Sequence, residues 1–587
     1  MKGTKFALAL MASLLLVVTA CNNGGGEAGT ETPEPAGNAS TTDGGGDAAA
    51  PAAESEAIDP YGPFEETVTI KIAQKLPPGD MGLAAGETVE NNARTRFYEE
   101  ELNIKLEREW SAVSGEPYDQ KVMLAIASRQ IPDAMQVNEE QLRVLVKAGL
   151  LEDLTQAFDA YASPKLKQLH YELAEGKSLA TATFDGKLYA IPSTAIEGDA
   201  VTVLWLRKDW LDKLGLPEPK TLEDIEAIAK AFIDNDMSGK GNTIGLLGPN
   251  TPELANEKGN RTLGFDAIFS SFRSFPRHWL KGKDGQVTYG SIEPETKEAL
   301  ALLRDWYAKG LIDKEFFLRE NPNELFLSGQ NGMFFGPWWM AWGDLTKSFE
   351  QNPDAQWKAY AAPLSKDGKL VTHMQPVSRD YLVVRKGYEH PEALIKGINI
   401  RIGLDRQADE VPAHLVERRK SELDGTSISS TLDIFRVNTD DIQAVTNRRH
   451  AILGVLNGER ELDSLEAEVR LEAEKALKYM DDPTVVKHYP KAAEDGLALV
   501  ETGGFQAYVV GGAPMDNEYE KVYSLLYSPT ETMKTRWANL AKLEDETFLK
   551  IVIGEAPLDA FDAFVKEWRS LGGDKIIEEV AAETGVK

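Results

Sequence analysis

Short runs with a two-residue apolar period exchange with longer runs of 3.6-residue period, and this exchange limits the possible folds more than anything else in the chain. Val68-Thr69-Ile70-Lys71-Ile72-Ala73 alternates as a strand, residues 89–102 are amphipathic, and Ile104-Lys105-Leu106-Glu107-Arg108 reads as a second strand. Helical patterning at 118–128 and a third strand at 131–137 complete a β-α-β-α order, which predicts an α/β lobe on a mixed, largely parallel sheet. Asp185-Gly186-Lys187 predicts a hairpin turn before a strand at 188–192, and 201–207 is a further apolar strand. Thr221 followed by Asp224 predicts a capped helix to about 233. Helical patterning recurs at 294–309, 391–400, 464–479, 533–541 and 560–571, so helix outweighs strand and no fixed-period repeat organises the chain. At ~100–200 residues per domain, 587 residues form several domains.

The N-terminus has a different character. Lys2 and Lys5 precede an apolar run over 6–20 that closes on Val18-Thr19-Ala20-Cys21. This is the pattern of a signal peptide, too short to span a ~30 Å hydrocarbon core comfortably. Cys21 is the one cysteine, which excludes an intramolecular disulfide and every multi-Cys metal site. The four closing residues resemble a bacterial lipobox, which implies cleavage before Cys21 and lipidation of its sulfur. Residues 22–60 are rich in Gly, Ala, Thr, Pro, Ser and Glu and hold no Lys or Arg, so they read as a tether reaching about 35 Å. No later stretch reaches 18 consecutive apolar residues. With 64 Lys+Arg against 94 Asp+Glu the formal charge is −30, which argues against a nucleic-acid partner.

Residues 185–216 (DGKLYAIPSTAIEGDAVTVLWLRKDWLDKLGL) resemble the centre of the extracellular solute-binding proteins, family 1. Segments 321–342 (NPNELFLSGQNGMFFGPWWMAW), 381–399 (YLVVRKGYEHPEALIKGIN) and 543–571 keep that family's order. The layout is most similar to large Gram-positive lipoprotein members and to the maltodextrin- and alginate-binding proteins. The resemblance implies a helix-rich, two-lobe fold of the type II periplasmic-binding-protein kind, with hinge-crossing segments and a cleft that closes on ligand. It implies delivery to an ABC permease from the extracellular face of the cell membrane, with a lipid as the sole membrane contact and a monomeric state. The division expected is a signal peptide at 1–20, lipidated Cys21 and linker over 21–65, one lobe from 66–197 plus 369–410, and a second from 198–368 plus 411–587.

A sugar ring offers a flat C–H face rimmed by hydroxyls, so its site needs aromatic plates with hydrogen-bonding groups at their edges. Gly336-Pro337-Trp338-Trp339 puts two indoles after an apolar strand at a backbone break, and Trp338 holds the position that stacks on sugar in the maltodextrin-binding family. Trp205 and Trp279 join Trp338 and Trp339 as aromatic candidates. Glu197, Trp205 and Arg207 flank the expected crossing, where a guanidinium can fork onto a carboxylate or hydroxyl pair. Gln136 and Asn138 end a strand at the expected cleft edge, and Gln375, Arg379 and Tyr381 lie near the return crossing. Arg207 and Arg379 leave an acidic sugar open.

The stretch 234–245 places Asp234, Asp236, Ser238 and Asn242 at loop positions 1, 3, 5 and 9, Gly239 at 6 and the Lys240 carbonyl at 7, as in the first part of an EF-hand loop. Gly245 stands where the bidentate Glu belongs, so a structural calcium there is weakly held or completed from afar, as by Glu253. A structural calcium is the favoured reading, and a polar Asx-type turn between helix and strand is the alternative.

The rival class is a glycan-cleaving enzyme, which needs two carboxylates at a suitable separation. The seven histidines form no HExxH or HxH pattern, no GxSxG is present, and the only thiol is assigned to lipid. The chain reads as a binding protein and not an enzyme. Peptide binding, and sensing without transport, also stay open.

Overall fold

The computed structural model describes residues 58–586 apart from 256–261, 353–354, 424–425, 481–496 and 499–506. Cys21, the signal peptide and the linker up to residue 57 lie outside the described residues. The strands, in chain order, are β1 (Val68–Leu76), β2 (Ile104–Val113), β3 (Ala134–Val137), β4 (Ile191–Pro192), β5 (Thr202–Arg207), β6 (Met333–Pro337), β7 (Trp357–Tyr360), β8 (Leu370–His373), β9 (Tyr381–Val384), β10 (Leu497–Ala498) and β11 (Tyr519–Val522). Two short hairpins accompany them, Thr183–Phe184 with Lys187–Leu188 and Trp279–Lys281 with Val287–Tyr289. The first hairpin turns at Asp185 and Gly186, both with positive φ, which a type I′ turn requires.

One sheet has the order β2-β1-β3-β9-β4. Strands β1, β2 and β3 are parallel, while β9 runs antiparallel to both β3 and β4. The parallel pairing requires crossovers, supplied by helices α1 (Ala93–Leu102) and α2 (Glu116–Ser128). Helix α3 (Glu139–Lys147) starts directly after β3 through a capping box, in which the Asn138 side chain accepts from the Gln141 N–H and the Gln141 side chain accepts from the Asn138 N–H. Ile70, Phe97, Leu142, Val383 and Ile398 belong to the core of this lobe.

The second sheet, β6-β5-β7-β10, is antiparallel throughout. Strand β5 reads as a continuous apolar run because both of its faces are covered. Leu204 and Leu206 enter a core with helix α4 (Leu222–Asp234) and helix α5 (Glu531–Ile553), and Val203 and Trp205 enter a separate core with Phe334, Trp357 and Val509. The architecture is therefore a mixed α/β, two-lobe one, and no described helix is long and apolar enough to cross a membrane.

Three chain segments pass between the lobes, and the one at 193–197 bonds to both of the others. Ser193 N–H donates to the Asp380 carbonyl and Ala195 N–H to that of Val377, while Thr194 and Glu197 N–H donate to the carbonyls of Asn438 and Ile442. The lobe limits differ from those expected from sequence. Tyr61 and Phe64, placed in the linker, pack on the first lobe, with Phe64 N–H donating to the Leu102 carbonyl. Val411, Leu415, Phe435 and Val437, placed in the second lobe, belong to the core of the first. The Phe435 ring lies where a Cβ on Gly397 would sit, 2.4 Å away, so it packs directly on the backbone of helix Pro391–Asp405. Conversely β8 pairs with β11, and Leu370 packs in the core of the second lobe.

Candidate functional site

The carboxyl ends of β1 and β3 and the start of α3 form one wall of a cleft, and the hairpin at Trp279 with the start of α5 forms the other. Open α/β sheets take ligands at the carboxyl ends of their parallel strands. A cavity of about 630 Å³ lies there, lined by Asn138, Glu139 and Glu140 from the first lobe, by Ser378, Arg379 and Asp380 from a crossing, and by Arg277, Trp279, Tyr527, Met533 and Trp537 from the second. A smaller cavity of about 190 Å³ shares Asp380 and adds Lys75, Ser114, Gln136, Thr431 and Asn438. Lys534 and Glu140 form an ion pair from lobe to lobe at 3.3 Å.

Aromatic rings back the second-lobe wall. The Trp537 ring is 6.1 Å from that of Trp279 and 5.6 Å from that of Tyr289, which itself stacks on Trp568 at 4.7 Å. Trp279 is anchored in this cluster, and Trp537 is only partly buried. The Tyr527 hydroxyl donates to the Met374 carbonyl at 2.7 Å. The arrangement offers an apolar plate with charged and amide groups around it, which suits a ligand having an apolar face and polar edges.

Arg277 is the most heavily partnered charge in the cleft. Its guanidinium donates to Glu253 at 2.8 Å and to Asp545 at 2.6 Å, with Glu544 at 3.5 Å. Burial disfavours its charge, but Glu544, Asp545 and Glu253 outweigh that and hold the pKa above the ordinary guanidinium value. Glu544 is fully buried behind it and accepts from the hydroxyls of Tyr289 and Ser291; burial pushes its carboxyl up to about 7 against the pull of Arg277.

The structure brings Asn138, Trp279 and Arg379 into the larger cavity and Gln136 into the smaller one, where its amide also donates to the Arg436 carbonyl at 2.9 Å. Gln375 is buried beside cavity-lining Pro376, and its amide nitrogen has no hydrogen-bond partner among the described residues. The others lie elsewhere. Trp338 is 2% exposed, stacks on Tyr508 at 5.1 Å and donates through Nε1 to Asp199 at 3.0 Å, so its indole is core and not a cleft plate. Its neighbour Trp339 points outward and is 40% exposed. Trp205 is fully enclosed and donates to the Pro337 carbonyl.

Arg207 is 3% exposed and forks onto Asp209 at 2.7 and 2.5 Å, with Trp210 beneath it at 4.9 Å, so it is a structural ion pair two residues long. Tyr381 is core in β9. Glu197 pairs with Lys521 at 2.5 Å and lines a different cavity with Asp516 and Tyr519. Sequence reasoning missed Arg277, Tyr527 and Trp537. Arg277 is two residues from the chosen Trp279, which was the one available signal; Trp537 lies on the flank of a long helix and carried none.

In the loop after α4 the Asp236 carboxylate ties the turn together. It accepts from the Gly241 N–H at 2.8 Å, the Thr243 hydroxyl at 2.8 Å and the Ser238 hydroxyl at 3.0 Å, and these bonds lower its pKa. Asp234 pairs with Lys230 at 2.6 Å, Lys240 Nζ donates to the Ser328 carbonyl, and Asn242 is exposed. Glu253, expected as the distant completing ligand, is committed to Arg277. The oxygen-only donor set suits a hard cation, but among the described residues no three of His, Cys, Asp and Glu converge as a metal site.

A family model for bacterial extracellular solute-binding proteins matches residues 93–391, just over half of the chain. The fructooligosaccharide ABC transporter substrate-binding protein FusA of Streptococcus pneumoniae is 31% identical over 212 residues, 34% of this chain and 38% of FusA. The polygalacturonan/rhamnogalacturonan-binding protein YtcQ of Bacillus subtilis is 24% identical over 472 residues, 76% of this chain and 83% of YtcQ. Among solved structures, the alginate-binding protein AlgQ2 without calcium ion superposes with a TM-score of 0.55 at 16% identity, covering 89% of this chain and 99% of AlgQ2. The fold, the interlobe cavity and these matches agree: the chain belongs to the bacterial extracellular solute-binding proteins, a family of binding proteins and not of enzymes.

Proposed function

We propose that the chain is a lipid-anchored receptor that closes its two lobes on an oligosaccharide and hands it to an ABC permease. The observation that carries the reading is the cavity of about 630 Å³ between lobes joined by bonded crossings, with Trp279, Trp537 and Tyr527 on one wall and Asn138, Glu139 and Asp380 opposite or beside them. The indole faces take the C–H face of a pyranose or furanose ring, and the carboxylates and amide take its hydroxyls. Closure is a hinge motion, and ligand favours the closed state by touching both walls at once. The lipid anchor rests on Cys21 and its flanking residues, and the sugar class is supported by what FusA and YtcQ bind.

Titration calorimetry of the purified chain against a glycan panel tests the reading. At least one oligosaccharide binds, and Trp537→Ala weakens it about 2- to 12-fold, the equivalent of the ~0.5–1.5 kcal/mol of an aromatic contact. No binding across the panel, or unchanged affinity in a folded Trp537→Ala chain, refutes it.

The loop at 234–245 completes the proposal. It takes calcium weakly through Asp234, Asp236, the Ser238 hydroxyl, the Lys240 carbonyl and Asn242, since two formal charges, one already paired with Lys230, offer a modest field. Its role is to brace the turn after α4.

A further inference from the structure

The carboxylates lining the two cleft cavities each have a cation of their own. Glu139 pairs with Arg143 at 2.7 Å, Glu140 with Lys534 at 3.3 Å and Asp380 with Lys75 at 3.6 Å, while Asp433 faces Arg401 at 3.0 Å and Arg94 at 3.6 Å. The guanidiniums are not matched in the same way. Arg277, at the indole wall, is answered by Glu253, Asp545 and Glu544. Arg379 lines the larger cavity exposed, and among the described residues its side chain makes neither an ion pair nor a hydrogen bond. Arg436 lines the smaller cavity; its Nε donates to the Asn438 side chain at 3.2 Å, and it forms no ion pair among the described residues.

Both arginines belong to the joint, and their backbones are pinned there. The Ser193 hydroxyl accepts from the N–H groups of Arg379 and Asp380, each at 3.1 Å, and the Gln136 amide donates to the Arg436 carbonyl at 2.9 Å. The two cavities share Asp380, so the two guanidiniums border adjoining spaces. In a chain of formal charge −30, the charges left without an opposite partner among the described cavity-lining residues are positive.

A guanidinium fork matches a carboxylate through two parallel N–H···O bonds, each stronger than a bond to a neutral oxygen. A uronate supplies the missing charge at Arg379 or Arg436 without displacing a carboxylate already in place, whereas at Arg277 it would have to displace one. An uncharged sugar leaves both cations unanswered. We infer that Arg379 and Arg436 form an anion subsite at the crossings, and that the cleft takes a uronate-bearing oligosaccharide whose carboxylates lie there while a ring face lies on the indole wall. The inference deepens the receptor reading and rests on it.

The test is calorimetry of the full chain with oligogalacturonates and oligomannuronates, and with neutral gluco-, galacto- and fructo-oligosaccharides of matched length, at low and at physiological salt. The expected result is that at least one uronate series binds about tenfold or more tighter than any neutral one and weakens as salt rises. Arg379→Gln/Arg436→Gln then lowers the uronate affinity at least fivefold and flattens its salt dependence, which a merely structural role for these side chains would not do. Tighter binding of a neutral series overturns the anion subsite while leaving the receptor reading standing. Unchanged uronate affinity and salt dependence in the folded double variant also overturn it. Binding of neither class removes the receptor reading and the inference with it.

Discussion

Trp338→Phe separates a core indole from a sugar-binding one. The indole Nε1–H donates to Asp199 at 3.0 Å, and Asp199 is a buried carboxyl whose pKa burial raises even though this bond pulls it down. Removing the donor costs about 1.5–3 kcal/mol, the worth of a hydrogen bond to a charged group. Shrinking the ring where it packs between Tyr508 and Trp342 adds roughly 1 kcal/mol for the void. The expected loss is therefore about 2.5–4 kcal/mol, read as a lower urea midpoint with unchanged slope in far-UV dichroism. The loss shrinks as pH falls through the raised pKa of Asp199, because a protonated Asp199 no longer needs the donor. Glycan affinity in calorimetry stays within about threefold of the parent, since the ring is enclosed. Unchanged stability together with a tenfold loss of affinity would refute the assignment of Trp338 to the core and restore it to the cleft.

Glu544 is raised from 4.5 to about 7, so the folded chain retains a proton that the unfolded chain releases near 4.5. The stabilisation is complete below about 4.5 and fades as pH rises through 7; Glu544→Gln flattens thermal stability between pH 5 and 8, and an unaltered slope counts against the burial argument. Millimolar calcium at a tenfold excess over its dissociation constant adds about 1.4 kcal/mol of stability. Asp236→Ala abolishes that increment and also lowers the melting temperature in chelator, because the loop loses its tie to Gly241 and Thr243; a parent chain indifferent to calcium by scanning calorimetry ends the metal reading.

Periodicity read the scaffold well because it reports burial on one element at a time. The β1-α1-β2-α2-β3 order, the Thr221 capping box and the hairpin at Asp185 are local patterns, and each is present. The cleft is not local. Asn138, Arg277, Arg379 and Trp537 come from segments separated by more than a hundred residues, and only the crossings bring them together. Trp338 misled because a Gly-Pro break after a strand marks where a chain turns and not which way the next ring faces; here the turn leads into a helical stretch whose first indole packs inward and whose second faces solvent. Arg207 misled for a simpler reason, since its partner Asp209 was two residues away. The second lobe limit was illegible because Phe435 is tied to the first lobe by a ring-on-glycine contact that no sequence period records.

The backbone bonds among the crossings at 193–197, 377–380 and 438–442 make the joint a laminate and not a set of independent strings. A laminate flexes more readily across its thin direction than it shears within its plane, so the proposed closure is favoured along one arc. The middle layer, 193–197, carries every one of these bonds, so a cut there frees both outer straps from each other, whereas a cut in either outer strap leaves the other still fastened to the middle one.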